Sequence, residues 1–220
     1  MGSWNAQRLA GGAGVLFIVL TFGCGFIVSP PPTADESSAK FLAYFADNRS
    51  ALLVQMVVAL LADIPAFVFA SGFWTLLRRE DKDGDLLATA AIIALVFGGV
   101  IATINSGWTG ALGYLGDGNG LEEGTARTLS LLGTVATTSG LFVSFAAFAA
   151  ASGCVLLRGS TLPKWLGWIG LVASILAILG VCGLAQSGPF SPFEIVQFGA
   201  FVGFSLYVVL VSVFMWLRAK

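Results

Sequence analysis

ALLVQMVVALLADIPAFVFASGFWTLLRR, residues 51–79, decides the fold. A helix needs about 20 mainly apolar residues to cross a bilayer. This run exceeds that length, carries one acid, Asp63, and closes on the pair Arg78-Arg79. Working outward, the same pattern recurs, giving spans near 8–29, 49–77, 86–113, 126–157, 164–187 and 192–217. The second and fourth are long, which implies tilt or extension beyond the hydrocarbon. The polar connections between spans are too short for a soluble domain. Residues 1–220 therefore read as one all-α domain, a bundle of six transmembrane helices.

Composition agrees. Hydrophobic residues make up 57% of the chain and charged residues 10%, against about 25% charged in soluble domains. The net charge of -1 gives no basic footprint for nucleic acid, so the lipid bilayer is the first expected partner. Histidine is absent, which removes haem ligation, imidazole zinc sites and Ser-His-Asp catalysis. Cys24, Cys154 and Cys182 are isolated in apolar segments and read as small packing residues. Cys24 and Cys182 lie at similar depth, so a disulfide between them is compatible with the spacing. The chain has no phosphate-binding loop, no GxSxG elbow, no dense acidic cluster and no lysine inside a helix core. No catalytic residue, metal or cofactor is expected.

Orientation follows from Lys and Arg. Eight fall on the side of the two termini, from Arg8 through Arg78, Arg79 and Lys164 to Lys220, against Lys40, Arg49 and Arg127 on the other. Both termini are expected in the cytoplasm of a multi-pass cell-membrane protein. Trp74, Trp165, Trp168 and Trp216 fall near the same boundary. The first span reads as a retained helix rather than a cleaved signal, because only Arg8 precedes it and Pro30 would hinder cleavage at the candidate site Ile27-Val28-Ser29. After Pro30-Pro31-Pro32, the sequence Thr33-Ala34-Asp35-Glu36 has capping-box spacing. Phe41, Leu42 and Phe45 then share one face of a short outer amphipathic helix, expected along the membrane surface or as a lid over the bundle.

In the fourth span Gly133, Thr137, Gly140, Ser144, Ala147, Ala151 and Cys154 alternate by steps of four and three, one stripe of small residues. Gly170, Ser174, Ala177 and Gly180 form a comparable stripe in the fifth. Small residues let helix backbones approach in lipid, so the two stripes predict a close-packed hairpin through Pro163. A permeation path along that seam is the sharper alternative.

Asp63 is the outstanding polar residue. It lies 14 residues into its helix from Arg49, or about 21 Å at the helical rise, close to the bilayer centre. A carboxylate there costs at least about 2.5 kcal/mol and is usually functional. Pro65 cannot donate to Leu61 and is expected to kink the helix beside it. Ion or proton coupling and a structural bond from a protonated Asp63 to a neighbouring hydroxyl are both open. The same depth brings in Thr137, Thr138, Ser139, Ser174 and Ser205. Thr21, Gln55, Asn105, Gln186, Glu194 and Gln197 form a second layer nearer the outer face, as for a pocket opening outward. Two loops imitate calcium motifs, but Asp81-Lys82-Asp83-Gly84-Asp85 has Ile92 at the bidentate position and Asp117-Gly118-Asn119-Gly120 fails sooner. Both read as solvated turns. A three-helix repeat is absent, since the fifth span has no central Asp or Pro, and this weakens a transporter reading.

Arg8-Leu9-Ala10-Gly11-Gly12, the stretch Phe41-Leu42-Ala43-Tyr44-Phe45-Ala46-Asp47-Asn48 and Leu162-Pro163-Lys164-Trp165-Leu166-Gly167-Trp168 resemble a bacterial six-helix family known only as domain of unknown function 4386. The resemblance implies a membrane bundle without an assigned reaction. Two functions are therefore expected. One is an accessory or scaffold subunit, or an apolar-ligand-binding bundle, working with a membrane-protein partner or as a homo-oligomer. The other is a small transporter or channel that uses Asp63.

Overall fold

Lipid offers no hydrogen bonds, so a chain that crosses it must satisfy its backbone internally, and a helix does so within one segment. The computed structural model describes residues 3–81, 85–116, 120–183, 189 and 195–218. Its helices are α1 (Ser3–Gly25), α2 (Ser38–Asp47), α3 (Arg49–Glu80), α4 (Leu86–Leu115), α5 (Glu123–Arg158), α6 (Lys164–Val181) and α7 (Ile195–Arg218). Six of them are long and apolar enough to cross a membrane. The protein is an all-α membrane bundle. α1 packs on α3, each later span packs on the next, and α7 returns to α1, closing a ring.

Several boundaries move. α1 stops at Gly25 rather than near 29. The amides of Phe26 and Ile27 turn back to Gly23 and Cys24, a tightened last turn ahead of the prolines. α6 stops at Val181, and residues 184–187 of the expected span lie outside the described residues. α3 runs unbroken through Pro65, which is buried. The capping-box reading does not hold. Glu36 N–H bonds the Thr33 carbonyl, closing a turn, and α2 begins only at Ser38. Thr33 instead hydrogen-bonds Asp35, holding that carboxyl below its ordinary range.

α2 is a lid. Phe41 and Phe45 are fully buried and join Val28, Leu52, Leu112, Leu121 and Ala126 in a cluster over the ends of α3, α4 and α5. The apolar face expected against the membrane surface is occupied by the bundle itself. Arg127 of α5 donates to the Ala34 carbonyl at 2.6 Å, tying the loop down.

The small-residue stripe of α5 faces a different neighbour from the one expected. A Cβ at Gly140 would strike Ile101, and Gly98 sits against Ser144, so this stripe packs on α4. Ala147, expected to be a packing residue, is exposed. The α5–α6 hairpin does form, through a neighbouring stripe. A Cβ at Gly153 would lie 2.8 Å from the Gly167 carbonyl, and one at Gly167 would lie 2.7 Å from the Gly153 carbonyl. Gly170 and Ser174 are buried, and a Cβ at Gly170 would lie 2.9 Å from the Ala149 carbonyl of α5. A 36-residue helix has more than one contact face, and spacing alone does not say which neighbour each face meets.

Candidate functional site

Two cavities adjoin inside the ring. The first, about 290 Å³, opens at the end of the bundle that carries α2, where exposed Ser29 and Pro30 and the lid residue Tyr44 line it. Gln55, Ser130 and Thr134 form its deeper walls. The second, about 200 Å³, lies toward the middle of α3 and holds Asp63 among Phe17, Phe67, Phe145 and Phe201. Cys24, Asn105, Ser106 and Thr137 line both. The result is a polar vestibule over a mainly apolar chamber with one acid. Phe67 and Val96, both exposed, place part of the chamber rim on the lipid-facing side of α3 and α4.

Asp63 Oδ2 lies 2.7 Å from Thr103 Oγ1. The same hydroxyl lies 2.9 Å from the Gly99 carbonyl, one turn earlier on α4. A threonine hydroxyl has one proton, so it cannot serve both acceptors fully at once. With Asp63 protonated, the acid donates to Thr103 and Thr103 donates to Gly99. With Asp63 ionised, Thr103 must turn to the carboxylate and Gly99 O loses that bond. Among the described residues, no lysine or arginine lines either cavity.

Four other hydroxyls on these walls are committed to their own helices. Thr21 donates to Phe17, Ser106 to Ala102, Thr134 to Ser130 and Thr137 to Gly133, each at 2.8 to 3.0 Å except Thr137 at 2.7 Å. Their protons stay on their own helices, so what they offer the cavity is oxygen lone pairs. Gln55 and Cys24 are tied reciprocally. The Gln55 amide donates to Cys24 O at 3.1 Å, and the Cys24 thiol faces Gln55 O at 3.3 Å. Gln55 thereby adds a second donor to the carbonyl that the Ile27 amide engages at the end of α1.

Of the residues singled out by depth, the structure gathers Asp63, Gln55, Asn105 and Thr137 around these cavities. It takes Thr138 elsewhere. Thr138 is buried and accepts from Gln197, which also donates to Gly183 O at 2.9 Å. Ser139, Ser174 and Ser205 line neither cavity, and the buried Ser205 hydroxyl has no hydrogen-bond partner. Gln186 and Glu194 lie outside the described residues. All three cysteines are free, so Cys24 and Cys182 form no disulfide. The carboxylates of the inter-helix turn serve α4, with Asp81 accepting from Ala88 N–H at 3.0 Å and Asp85 pairing with Arg78 at 2.6 Å.

The model of the family described as Domain of unknown function (DUF4386) matches residues 9–220. The chain belongs to the DUF4386 family. Neither a curated protein nor a solved structure matches it. The family description names no reaction, so in this DUF4386 member the geometry must carry the functional reading.

Depth counting missed Thr103, the hydrogen-bond partner of Asp63. The signal was present in the sequence. α3 and α4 form an antiparallel hairpin, and Asp63 and Thr103 each stand 20 positions from Asp83 at the centre of the connection. Equal distance from a hairpin turn puts two residues at one level, and the adjacent helix was the first place to look.

Proposed function

We propose that this DUF4386 protein is a membrane-embedded binding bundle that admits a small amphiphilic molecule from the α2 end into the chamber holding Asp63. The observation that carries this is the pair of adjoining cavities, graded from a polar mouth to an apolar interior. Ligand sites are commonly concave, mostly apolar and supplied with a few placed polar groups. The excess of Lys and Arg beside the termini supports the α2 end facing away from the cytoplasm.

Gly99 provides the test. It lines the chamber, and a Cβ there meets nothing within 4 Å. Gly99→Leu should therefore fill the chamber without disturbing the fold. The assay is saturable binding of the neutral fluorophore N-phenyl-1-naphthylamine to protein in nanodiscs carrying Cys154→Ser and Cys182→Ser. In that background bound probe should shield Cys24 from a small impermeant thiol reagent. Gly99→Leu should abolish saturable binding with an unchanged melting temperature. Absence of saturable binding to the unfilled protein would end the reading.

A further inference from the structure

We propose that the chamber selects an organic monocation whose charge pairs with the Asp63 carboxyl. The inference rests on the binding reading above and names its ligand class. Three observations meet here. A carboxyl group near the middle of the spanning helix α3 sits in a chamber that no Lys or Arg lines among the described residues. An uncompensated charge in such surroundings is expensive, so the acid requires either its own proton or a cation from outside the chain. Second, the hydroxyls on the walls direct their protons to their own backbones and present oxygen to the space. These hydroxyls thus offer acceptors, which suit a positive group, beside the Asn105 amide. Third, Phe17, Phe67, Phe145 and Phe201 line the same chamber, giving an organic cation aromatic contacts.

The Thr103 hydroxyl lies within reach of both Asp63 Oδ2, at 2.7 Å, and the Gly99 carbonyl, at 2.9 Å. It can therefore donate to the carboxylate while the other carboxylate oxygen faces the cation. Among the described residues of α1, α3, α4, α5 and α7, the other titratable group lining the chamber is the Cys24 thiol.

The test uses two isosteres, benzyltrimethylammonium and neutral neopentylbenzene, with the protein in nanodiscs. Calorimetric titration should show the cation binding about tenfold or more tighter than its neutral isostere. Asp63→Asn should weaken cation binding about tenfold or more, as loss of a charge-assisted contact predicts. It should leave neopentylbenzene binding unchanged, and Asp63→Glu should restore part of the cation preference. Equal binding of the two isosteres would overturn the cation inference and leave the binding pocket standing. A cation preference that survives in Asp63→Asn would also overturn it. Failure of both isosteres to bind would remove the pocket and this inference together. The comparison of the isosteres on the unsubstituted protein needs no variant to fold.

Discussion

α4 and α5 are neighbours of similar apolarity, yet they meet their surroundings differently. Of the most apolar stretch of α5, 56% is buried inside the protein, against 17% for α4. α5 sits among α4, α6 and α7, with Phe145 stacked on Phe204 at 3.7 Å and glycine backbones touching α6. α4 presents much of its surface to lipid and one wall to the cavities. Lipid tails are as apolar as leucine, so hydropathy does not distinguish these roles. Close packing does. The α5–α6–α7 side holds the bundle together, and the α3–α4 side leaves space and a polar pair within it.

The largest expected effect sharpens that contrast. Gly153→Leu forces a side chain against the Gly167 carbonyl and should cost about 3 kcal/mol or more, at or above the usual range for overpacking. Unfolding in detergent titrated with dodecyl sulfate, followed by circular dichroism, would measure it. Gly99→Leu on α4 should cost almost nothing in the same assay. Equal costs for the two would break the comparison.

A middle-sized effect concerns the dry core. Tyr207 is fully buried, and its hydroxyl lies 2.8 Å from Ser152 Oγ, which lies 2.6 Å from Phe148 O. Tyr207→Phe leaves Ser152 its backbone acceptor, so the loss should be about 1 kcal/mol, within the range found for hydrogen bonds between membrane helices. A loss above about 3 kcal/mol would mean that this core depends on polar bonds more than on packing.

The smallest effect belongs to the lid. Burial pushes the Tyr44 phenol up to about 12, and in its neutral form it donates to Ser29 O at 2.7 Å. The folded lid therefore holds this proton more tightly than an unfolded chain does. Its contribution is intact below about pH 10, the ordinary tyrosine value, and fades as pH rises through 12. A tyrosinate absorbance titration, compared with Tyr44→Phe, should lose one group titrating near 12. A missing group near 10 instead would show a lid that stands open to water.

Much of this could be read directly from residue order. Runs such as 51–79 dictated six spans, because length and apolarity are local properties and bilayer thickness sets one threshold for all of them. Counting along one rigid helix gave Asp63 its level, with Thr137 in the same layer and Gln55 and Asn105 in the layer nearer the outer face. Thr138, Ser139 and Ser205 show where counting stops. Depth is one coordinate, while meeting Asp63 also requires a direction around the helix axis and a choice of neighbour.

Only the tertiary structure decided those remaining coordinates. It turned the Gly140 stripe toward α4 and gave the α6 seam to Gly153. It set Thr103 against Asp63 and brought Phe41 and Phe45 down onto the bundle instead of leaving them along the membrane. The sequence by itself determined the elements, their lengths and the level of each polar group, since these depend on the local period and on the solvent. Which helices touch, which face each presents and where space is left depend on the simultaneous packing of all six, and no single segment holds that information.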